Sequence, residues 1–470
     1  MIHTKVSLDR LASVVGILVL AWVPVRLLSL GYLPVDDALR HAGKAMTERS
    51  WGDILVVRPE ITMDSHPGWH FVLQTLRQAT GADAMDLVFA SVVGLFLLVA
   101  LIGFACHQPP WAWLAALVFV AVFDSDVVLR WIMGRPFLFS TAWLLVILFT
   151  WERGPILTRH RDVVVWTLVF GLLSWIHPSF YLFALPVIAL CAARRLREAG
   201  ALAAVAVLGS FLGGVLSGHP LDFYRQAILH PLFSLGKNAA SLVGEFQPAD
   251  GSPMMILAAL VLLSQLRAGY PNLDALRSDP TLVLVVLGWS LAFLNKRFWV
   301  DWGGPALLAL ITREIARCPD LVFRPALTRF ALTLGLSGIL ALTLCSDRAG
   351  RWSRVDRYFA PLARPEQARL LPDPGGVLYS DSMYVFYSVF VRKPDAPFRY
   401  VLGFEAGWMK EEDETVYREG LRGGHQALRP WVTRLRPQDR LIVSGNGSAE
   451  FPELEWEQAT STLWSGRLPY

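Results

Sequence analysis

Two adjacent acids, Asp36 and Asp37, open the first hydrophilic stretch of the chain, directly after a long apolar run. A carboxylate at a membrane surface can act as a general base that removes the proton of an acceptor hydroxyl or amine. The same residues also fit an ordinary helix start, because Pro34 and the acids are favoured there. Arg40 and His41 follow the two acids at helical i,i+4 spacing. The sequence therefore leaves both a catalytic pair and a helix cap open.

A second polar group occurs in the same stretch, in Asp64-Ser-His66-Pro-Gly-Trp69-His70. The tripeptide His-Pro-Gly is typical of a turn, and Trp69 is typical of a residue that anchors a helix at the membrane interface. The alternative is that this group belongs to an active site together with the acid pair.

Three cations stand at the start of later apolar segments, namely Arg135, Lys296 and Arg297. Long basic side chains at such positions can snorkel to lipid headgroups. The orientation derived below puts them on the outer side of the membrane, where basic residues are disfavoured, so a cation kept there needs a partner. A lipid-linked phosphate is a suitable partner, because charged donors bind phosphate oxygens strongly.

Asp124 and Asp126 lie at the end of the third apolar segment. They could simply end a helix. They could also join Asp36 or Asp37 as oxygen ligands of a divalent cation, Mg²⁺ or Mn²⁺, since both ions prefer carboxylates. The sequence leaves the need for such a cofactor open.

The elements that position these residues follow from the distribution of charge. Of 470 residues 54% are apolar and 17% are charged, below the roughly 25% of soluble domains. Residues 346–470 contain 34 of the 82 charged residues. The sequence therefore predicts a membrane domain at 1–345, with a catalytic first outer loop at 31–85, followed by a polar domain at 346–470.

Eleven apolar runs approach the ~20 residues that cross a bilayer as a helix. They fall near 11–30, 86–105, 111–128, 136–151, 162–176, 179–193, 201–217, 253–267, 281–295, 299–316 and 326–345. With the N-terminus in the cytoplasm, the cytoplasmic segments contain 14 Lys and Arg residues and the short outer loops contain 6, which agrees with the positive-inside rule. An odd number of spans then places the first loop and the C-terminal domain outside the cytoplasmic membrane.

The outer face of this topology collects the unusual residues. It includes both acid pairs, Arg135, the tight turn Trp175-Ile-His177-Pro178, a long loop with His219, Arg225 and His230, and the Lys296-Arg297 pair. Such convergence is expected of one active site at the membrane surface, in which His177, Lys296 and Arg297 would bind substrate.

The polar domain has the pattern of a small α/β fold. Short apolar runs at 377–381, 400–404 and 440–444 predict strands, and Glu411 to Leu421 predicts a helix between them. The glycine-rich Ser444-Gly-Asn-Gly-Ser448 is a predicted turn, since neither GxGxxG nor GxxxxGK occurs.

Other classes of function fit poorly. The net charge of +4 comes from arginines in loops and not from a basic stripe, so nucleic acid is not an expected partner. The four cysteines, Cys106, Cys191, Cys318 and Cys345, have no paired spacing and predict neither disulfides nor a zinc site.

Three motifs in order resemble the GT-C superfamily of polyprenyl-phosphate-dependent glycosyltransferases, in particular the branch of protein O-mannosyltransferases and lipid A aminoarabinose transferases. Asp36-Asp37-Ala-Leu-Arg40-His-Ala42 resembles the acidic motif of that branch, Ser65-His66-Pro67-Gly68-Trp69 its His-Pro-Pro motif, and Arg135-Pro136-Phe137 its Arg-Pro-aromatic motif. The likeness covers roughly residues 10–150. Asp37 replaces the usual Glu and Gly68 the usual second Pro.

The resemblance implies an inverting transferase that moves a sugar from a polyprenyl phosphate to a lipid, glycan or protein acceptor on the outer face of the cytoplasmic membrane. It implies Asp36 as the base, Asp37 as its helper, and Arg40, His66 and Arg135 as residues that hold donor or acceptor. Two alternatives stay open: a glycan polymerase or ligase that uses outer-loop Arg and His, and a transport or assembly scaffold without catalysis. The nearly uncharged span interiors disfavour transport.

Overall fold

The computed structural model describes residues 8–34, 36–154, 159–234, 247–249, 258, 278–317, 325–347, 352, 362 and 365–469. The chain divides into two compact units. The first, here called the helical unit, comprises Met1–Ser29, Ser91–Val215 and Gln247–Arg348. The second, the sheet unit, comprises Leu30–Ala90, Leu216–Phe246 and Ala349–Tyr470. The predicted first outer loop thus folds with the C-terminal domain.

The described residues of the helical unit form α-helices, one 3-10 helix (Phe180–Phe183) and one π-helical turn. Its helices are α1 (Leu8–Ser29), the larger part of α5 (Ala84–Ala100), α6 (Ile102–Ala105), α7 (Pro110–Phe123), α8 (Ser125–Ile132), α9 (Phe137–Trp151), α10 (His160–Ile176), α11 (Ala184–Ala192), α12 (Leu196–Leu216), α14 (Pro280–Ala292), α15 (Gly304–Arg317) and α16 (Ala326–Cys345). The helix α1 packs against α16 and α7, and α15 packs against α7, α9 and α14.

Among the described residues, three helices, α1, α12 and α16, are long and apolar enough to cross a membrane. The number rises to five if each of two sharply bent pairs, Pro67–Thr80 with α5 and α7 with α8, counts as one span. The prediction of eleven spans is therefore not supported in the described part of the chain. Several predicted runs form helices that are too short, such as Phe137–Trp151 and Pro280–Ala292, and the run at 253–267 lies almost wholly outside the described residues.

A π-helical turn, Trp299–Gly303, leads into α15. It lies against α14, where a Cβ atom added to Gly288 would be 2.6 Å from the Cα atom of Gly303. Only glycine permits this approach of the two backbones. The contact fixes the turn, and with it the one acidic residue that the turn contains, Asp301.

The sheet unit contains a five-stranded sheet of order β2-β1-β3-β5-β4. Its strands are β1 (Val377–Ser380), β2 (Arg399–Tyr400), β3 (Arg440–Ser444), β4 (Glu455–Gln458) and β5 (Leu463–Arg467). Strand β1 pairs in parallel with β2 and β3, whereas β5 pairs antiparallel with β3 and β4. The helices of this unit are α2 (Asp37–Met46), α3 (Trp51–Ile54), α4 (Pro67–Thr80), the start of α5, α13 (Pro220–Ser234), α17 (Met383–Phe390), α18 (Glu411–Gly423) and α19 (Arg429–Val432).

The predicted C-terminal sheet domain is confirmed, and strands occur at two of the three predicted positions, 377–381 and 440–444, whereas at 400–404 only Tyr400 belongs to a strand. The first loop adds to the edge of this sheet. The backbone N–H of Val56 donates to the carbonyl oxygen of Tyr400 at 2.8 Å, and that of Arg58 donates to the carbonyl of Trp408 at 2.9 Å. Val56 also packs against the apolar core around Trp431. The loop is thereby an integral part of the sheet unit.

Candidate functional site

The acid pair stands at the start of helix α2. Asp36 is the N-cap residue, and its carboxylate accepts a hydrogen bond from the backbone N–H of Asp37 at 2.6 Å. This is the local chemistry that the sequence predicted for a helix start, because a capping oxygen satisfies N–H groups that have no partner within the helix. Both acids are only partly buried, so a cap and a reactive carboxylate are compatible at this position.

Arg40 is the cation next to the acid pair. Its Nη2 atom lies 2.8 Å from Oδ1 of Asp37, three residues earlier, and its side chain is 4% exposed. The guanidinium carbon lies 3.9 Å from the ring centroid of Phe404, which follows strand β2. The ring face attracts the cation. A residue of the C-terminal domain thus covers the cation that is paired with Asp37.

A chain of hydrogen bonds connects Arg40 to Asp64. Nη2 of Arg40 lies 3.1 Å from Nε2 of His41, and Nδ1 of His41 lies 2.8 Å from Nε2 of His70. Nδ1 of His70 in turn bonds to Oδ2 of Asp64. The two histidines are buried and come from α2 and α4, which pack against each other. The packing of these helices therefore brings four polar side chains into one line.

The carboxylate of Asp64 is the end of this chain. Its Oδ1 atom accepts from the indole N–H of Trp51 at 3.3 Å and from the backbone N–H of His66 at 3.0 Å. Burial raises the pKa of Asp64, but the hydrogen bond from His70, the N–H of His66 and the charge of Lys44 outweigh burial and lower the pKa to about 2. Asp64 is therefore ionised at neutral pH.

His66, the predicted binding residue, is the N-cap of helix α4. Its Nδ1 atom lies 2.8 Å from the hydroxyl of Ser65, and its ring centroid lies 4.9 Å from that of His41. The acidic motif and the His-Pro-Gly motif of the sequence are thus in contact in the fold.

Lys44 is a further buried cation on α2, one turn after Arg40. Burial lowers its pKa, while the charge of Asp64 opposes this shift. Its Nζ atom lies 6.0 Å from the ring of Trp51. The inner face of α2 therefore presents Arg40, His41 and Lys44 to the residues of the loop that follows.

The other predicted residues lie in the helical unit. Arg135 is 9% exposed and immediately precedes α9. His177 follows α10, its Nδ1 atom lies 2.6 Å from the hydroxyl of Ser179, and its ring packs edge-on against Phe137 at 5.3 Å. Phe137, the aromatic residue of the Arg-Pro-aromatic motif, is thus the residue that contacts His177.

Asp301 is the central acid of the helical unit, and the sequence analysis missed it. It is 2% exposed and accepts two hydrogen bonds from Arg130, at 2.9 and 3.0 Å. Nε of Arg297 donates to the same carboxylate at 3.3 Å. The sequence held a signal, because a single acid within Trp-Val-Asp-Trp-Gly interrupts a predicted span, and a buried charge needs a partner.

Asp124 is an N-cap residue and not an open carboxylate. It accepts from the backbone N–H groups of Asp126 and Val127 and from the indole of Trp299, each at 3.0 Å. Asp126 lies 3.8 Å from Nζ of Lys296. Within the described ranges, no group of three or more His, Cys, Asp or Glu side chains could hold a metal ion. The grouping of Asp36 with Asp124 and Asp126 as cation ligands stays a prediction.

The predicted residues thus form two groups. One group, in the sheet unit, contains Asp36, Asp37, Arg40 and His66; the other, in the helical unit, contains Arg135, His177, Lys296 and Arg297. Sequence reasoning did not identify the contact of His41 with His70 or the pairing of Arg130 with Asp301.

No protein-family model matches the chain, and a search of curated proteins finds no match. The resemblance to glycosyltransferases therefore rests on the three sequence motifs.

Proposed function

We propose that the protein is a membrane glycosyltransferase that moves a sugar from a polyprenyl-phosphate donor to a lipid, glycan or protein acceptor. The observation that carries this proposal is the acid pair at the start of α2, partly exposed and joined through Arg40 to a buried polar chain. The ring centroids of His41, from the acidic motif, and His66, from the His-Pro-Gly motif, lie 4.9 Å apart, which supports one site that contains both motifs. Helices that could cross a membrane supply the surface that a lipid-linked donor needs.

In the proposed reaction Asp36 is the general base. It removes the proton of the acceptor hydroxyl or amine while that group attacks the anomeric carbon of the sugar. The bond from this carbon to the phosphate oxygen breaks, and the polyprenyl phosphate leaves with the electron pair. Attack opposite the leaving group inverts the configuration of the sugar.

The leaving phosphate gains negative charge, so cations near it stabilise the transition state. Lys296 and Arg297 are the proposed cations. Their side chains are 33% and 31% exposed, which leaves both of them accessible, whereas Arg130 beside them is buried against Asp301.

The test compares surface glycolipids and glycoproteins by mass spectrometry. The strains are a deletion, the deletion complemented with wild type, and the deletion complemented with Asp36→Asn at matched protein level. Asparagine caps a helix about as well as aspartate, so this change removes the base and keeps α2. Asp86→Asn, an exposed acid in the first turn of α5, is the matched control.

We expect a hexose- or pentose-sized mass to disappear in the deletion, to return with wild type and with Asp86→Asn, and to stay absent with Asp36→Asn. If Asp36→Asn restores the mass, the acid is not the base, and a ligase using His219, Arg225 and His230 becomes the better hypothesis. If no mass differs between the deletion and wild type, a scaffold without catalysis becomes the better hypothesis.

A further inference from the structure

The hydrogen bonds between Arg40 and Asp64 can run in only one direction. A guanidinium only donates hydrogen bonds and an ionised carboxylate only accepts them. Nε2 of His41 must therefore accept from Arg40, so Nδ1 of His41 must carry the proton that bonds to His70. Nε2 of His70 accepts that bond, and its Nδ1 donates to Asp64. Both histidines are neutral and have the same tautomer, with the proton on Nδ1.

This direction makes the chain an orienting device for Arg40. Asp64 fixes the ring of His70, His70 fixes the ring of His41, and Nε2 of His41 accepts the hydrogen bond from Nη2 of Arg40. The same Nη2 atom reaches Oδ1 of Asp37 at 2.8 Å. The position of Asp37, next to Asp36, is thus connected through three side chains, those of Arg40, His41 and His70, to Asp64.

Arg40 is placed for this role and not for direct contact with substrate. It is 4% exposed, and in the part of the chain that the structure describes its Nε atom has no hydrogen-bond partner. Leaving a buried charged donor unsatisfied is unfavourable. The fold keeps this cation buried although removing a charge from water costs free energy, which favours a role for Arg40 beyond packing.

We propose that Arg40 is a positioning residue that holds the acid pair of α2, and that Asp64, His70 and His41 orient it. The C-terminal domain completes the arrangement through Phe404, whose ring covers the guanidinium at 3.9 Å. This inference rests on the proposed function, because Asp36 is the group that the chain serves. It also assigns a role to the C-terminal domain, which covers the guanidinium of Arg40 with the ring of Phe404.

The test measures product formation in isolated membranes with the donor that the membranes already contain. The product is the mass that Asp36→Asn fails to form, and the full-length variants are compared at matched protein level. We expect His41→Phe and His70→Phe each to lower the initial rate by about 10- to 100-fold, because a small displacement of a catalytic group has this effect. The double variant should be no slower than the slower single variant, because both changes break one chain.

A merely structural role of the histidines predicts a different pattern. The thermal midpoint would fall and the rate would follow the amount of folded protein, or the two rate losses would multiply in the double variant. Trp431→Phe is the matched control, because it removes another buried hydrogen bond of the sheet unit, from the indole to Asp413 at 2.9 Å, away from the chain. It should lower the thermal midpoint without changing the rate per folded molecule.

Phe404→Leu keeps an apolar side chain over Arg40 but removes the ring. It is the variant that tests the proposal if the histidine variants do not fold. Loss of the ring face should lower the rate by about three- to tenfold. The positioning role is overturned if folded His41, His70 or Phe404 variants have rates within twofold of wild type. It is also overturned if the two rate losses multiply in the double variant. Product formation by Asp36→Asn would instead overturn the proposed function itself, so the two failures are distinguishable.

Discussion

Gly43 gives a direct test of how helix α2 packs in the sheet unit. It is a buried residue within α2, and α2 packs against α17. A Cβ atom added to Gly43 would lie 2.8 and 2.9 Å from two ring carbons of Phe390 and 3.2 Å from its carbonyl oxygen. Phe390 is 1% exposed, and its ring stacks on Phe386 with 5.0 Å between centroids. Neither the ring nor the backbone has room to move away.

Two effects of opposite sign meet in Gly43→Ala. Alanine in place of glycine within a helix stabilises a protein by about 1 kcal/mol. Overpacking a filled core costs about 1–3 kcal/mol, and two ring contacts below 3.0 Å together with a 3.2 Å contact to a carbonyl oxygen place this site at the upper end. We expect a net loss of about 2 kcal/mol, which lowers the Tm of a unit of this size by about 4–8 °C.

The assay is thermal unfolding of the full-length protein in detergent, followed by protease sensitivity and detection of a C-terminal epitope. Gly52→Ala is the control, because Gly52 lies in helix α3 of the same unit, is exposed, and its Cβ would come no nearer than 3.7 Å to Ser50. That variant should raise the Tm or leave it unchanged.

In a Phe390→Ala background the two ring contacts are absent and only the 3.2 Å contact with the carbonyl oxygen of residue 390 remains, so Gly43→Ala should become neutral or stabilising. The reasoning is refuted if Gly43→Ala raises the Tm of the otherwise wild-type protein, because α2 would then not lie against Phe390. It is also refuted if the destabilisation persists without the Phe390 ring.

Three further predictions follow from single contacts. Asp301→Ala should destabilise the helical unit by about 3–5 kcal/mol, because it leaves Arg130 buried without its carboxylate, whereas Asp126→Ala, at an exposed acid, should cost less than about 1 kcal/mol; equal midpoints in thermal unfolding would contradict this. The pKa of Asp64 in the folded protein, about 2, is below its ordinary 3.8, so ionised Asp64 stabilises the fold above pH 3.8 and this stabilisation is lost as the pH falls through 2. The Tm of Asp64→Asn should therefore fall less steeply than that of wild type over this pH range. An equal slope for the two proteins would contradict this prediction. Val56→Pro removes the N–H that joins the first loop to β2, should cost about 1–3 kcal/mol, and should open the loop to proteolysis, unlike Val56→Ala.

Strands β1 and β3 and the helix Glu411–Gly423 could be predicted because their patterns are local. Strands β4 and β5 could not. Glu455–Gln458 consists of polar residues around one tryptophan, and it becomes a strand only because β5 provides an antiparallel partner. Pairing of this kind leaves no apolar signal in the sequence.

The number of spans was overestimated because hydropathy measures composition and not the continuity of a helix. The segment Phe137–Trp151 is mostly apolar, yet it has only 15 residues and most of them are buried inside the protein. A helix of this length is shorter than the ~20 residues that a bilayer needs. Apolar residues on every side of a helix are expected of a core helix as well as of a span.

Some features of the candidate site depend on neighbouring residues and could be predicted, whereas others depend on residues far apart in the sequence and could not. The helix start at Asp36 was predictable because capping involves neighbouring residues. The contact of His41 with His70 joins residues 29 positions apart, and that of Arg130 with Asp301 joins residues 171 positions apart. Each depends on how helices pack, and the spacing of residues in one sequence does not determine packing.

The edge pairing of Val56 with Tyr400 has a consequence for biosynthesis. The two residues are separated by 344 positions in the chain, which takes about 17–70 s to synthesise at ~5–20 residues per second. For that time the first loop exists without its sheet, and Trp51 lacks the rings of Phe404 and Trp408 that later pack on it. In a chain that terminates before residue 377, the apolar side chains of the first loop, such as Trp51, stay uncovered permanently. An unfinished molecule therefore differs from a finished one in the exposure of its first loop. A cell that degrades proteins with exposed apolar segments would remove the unfinished molecule.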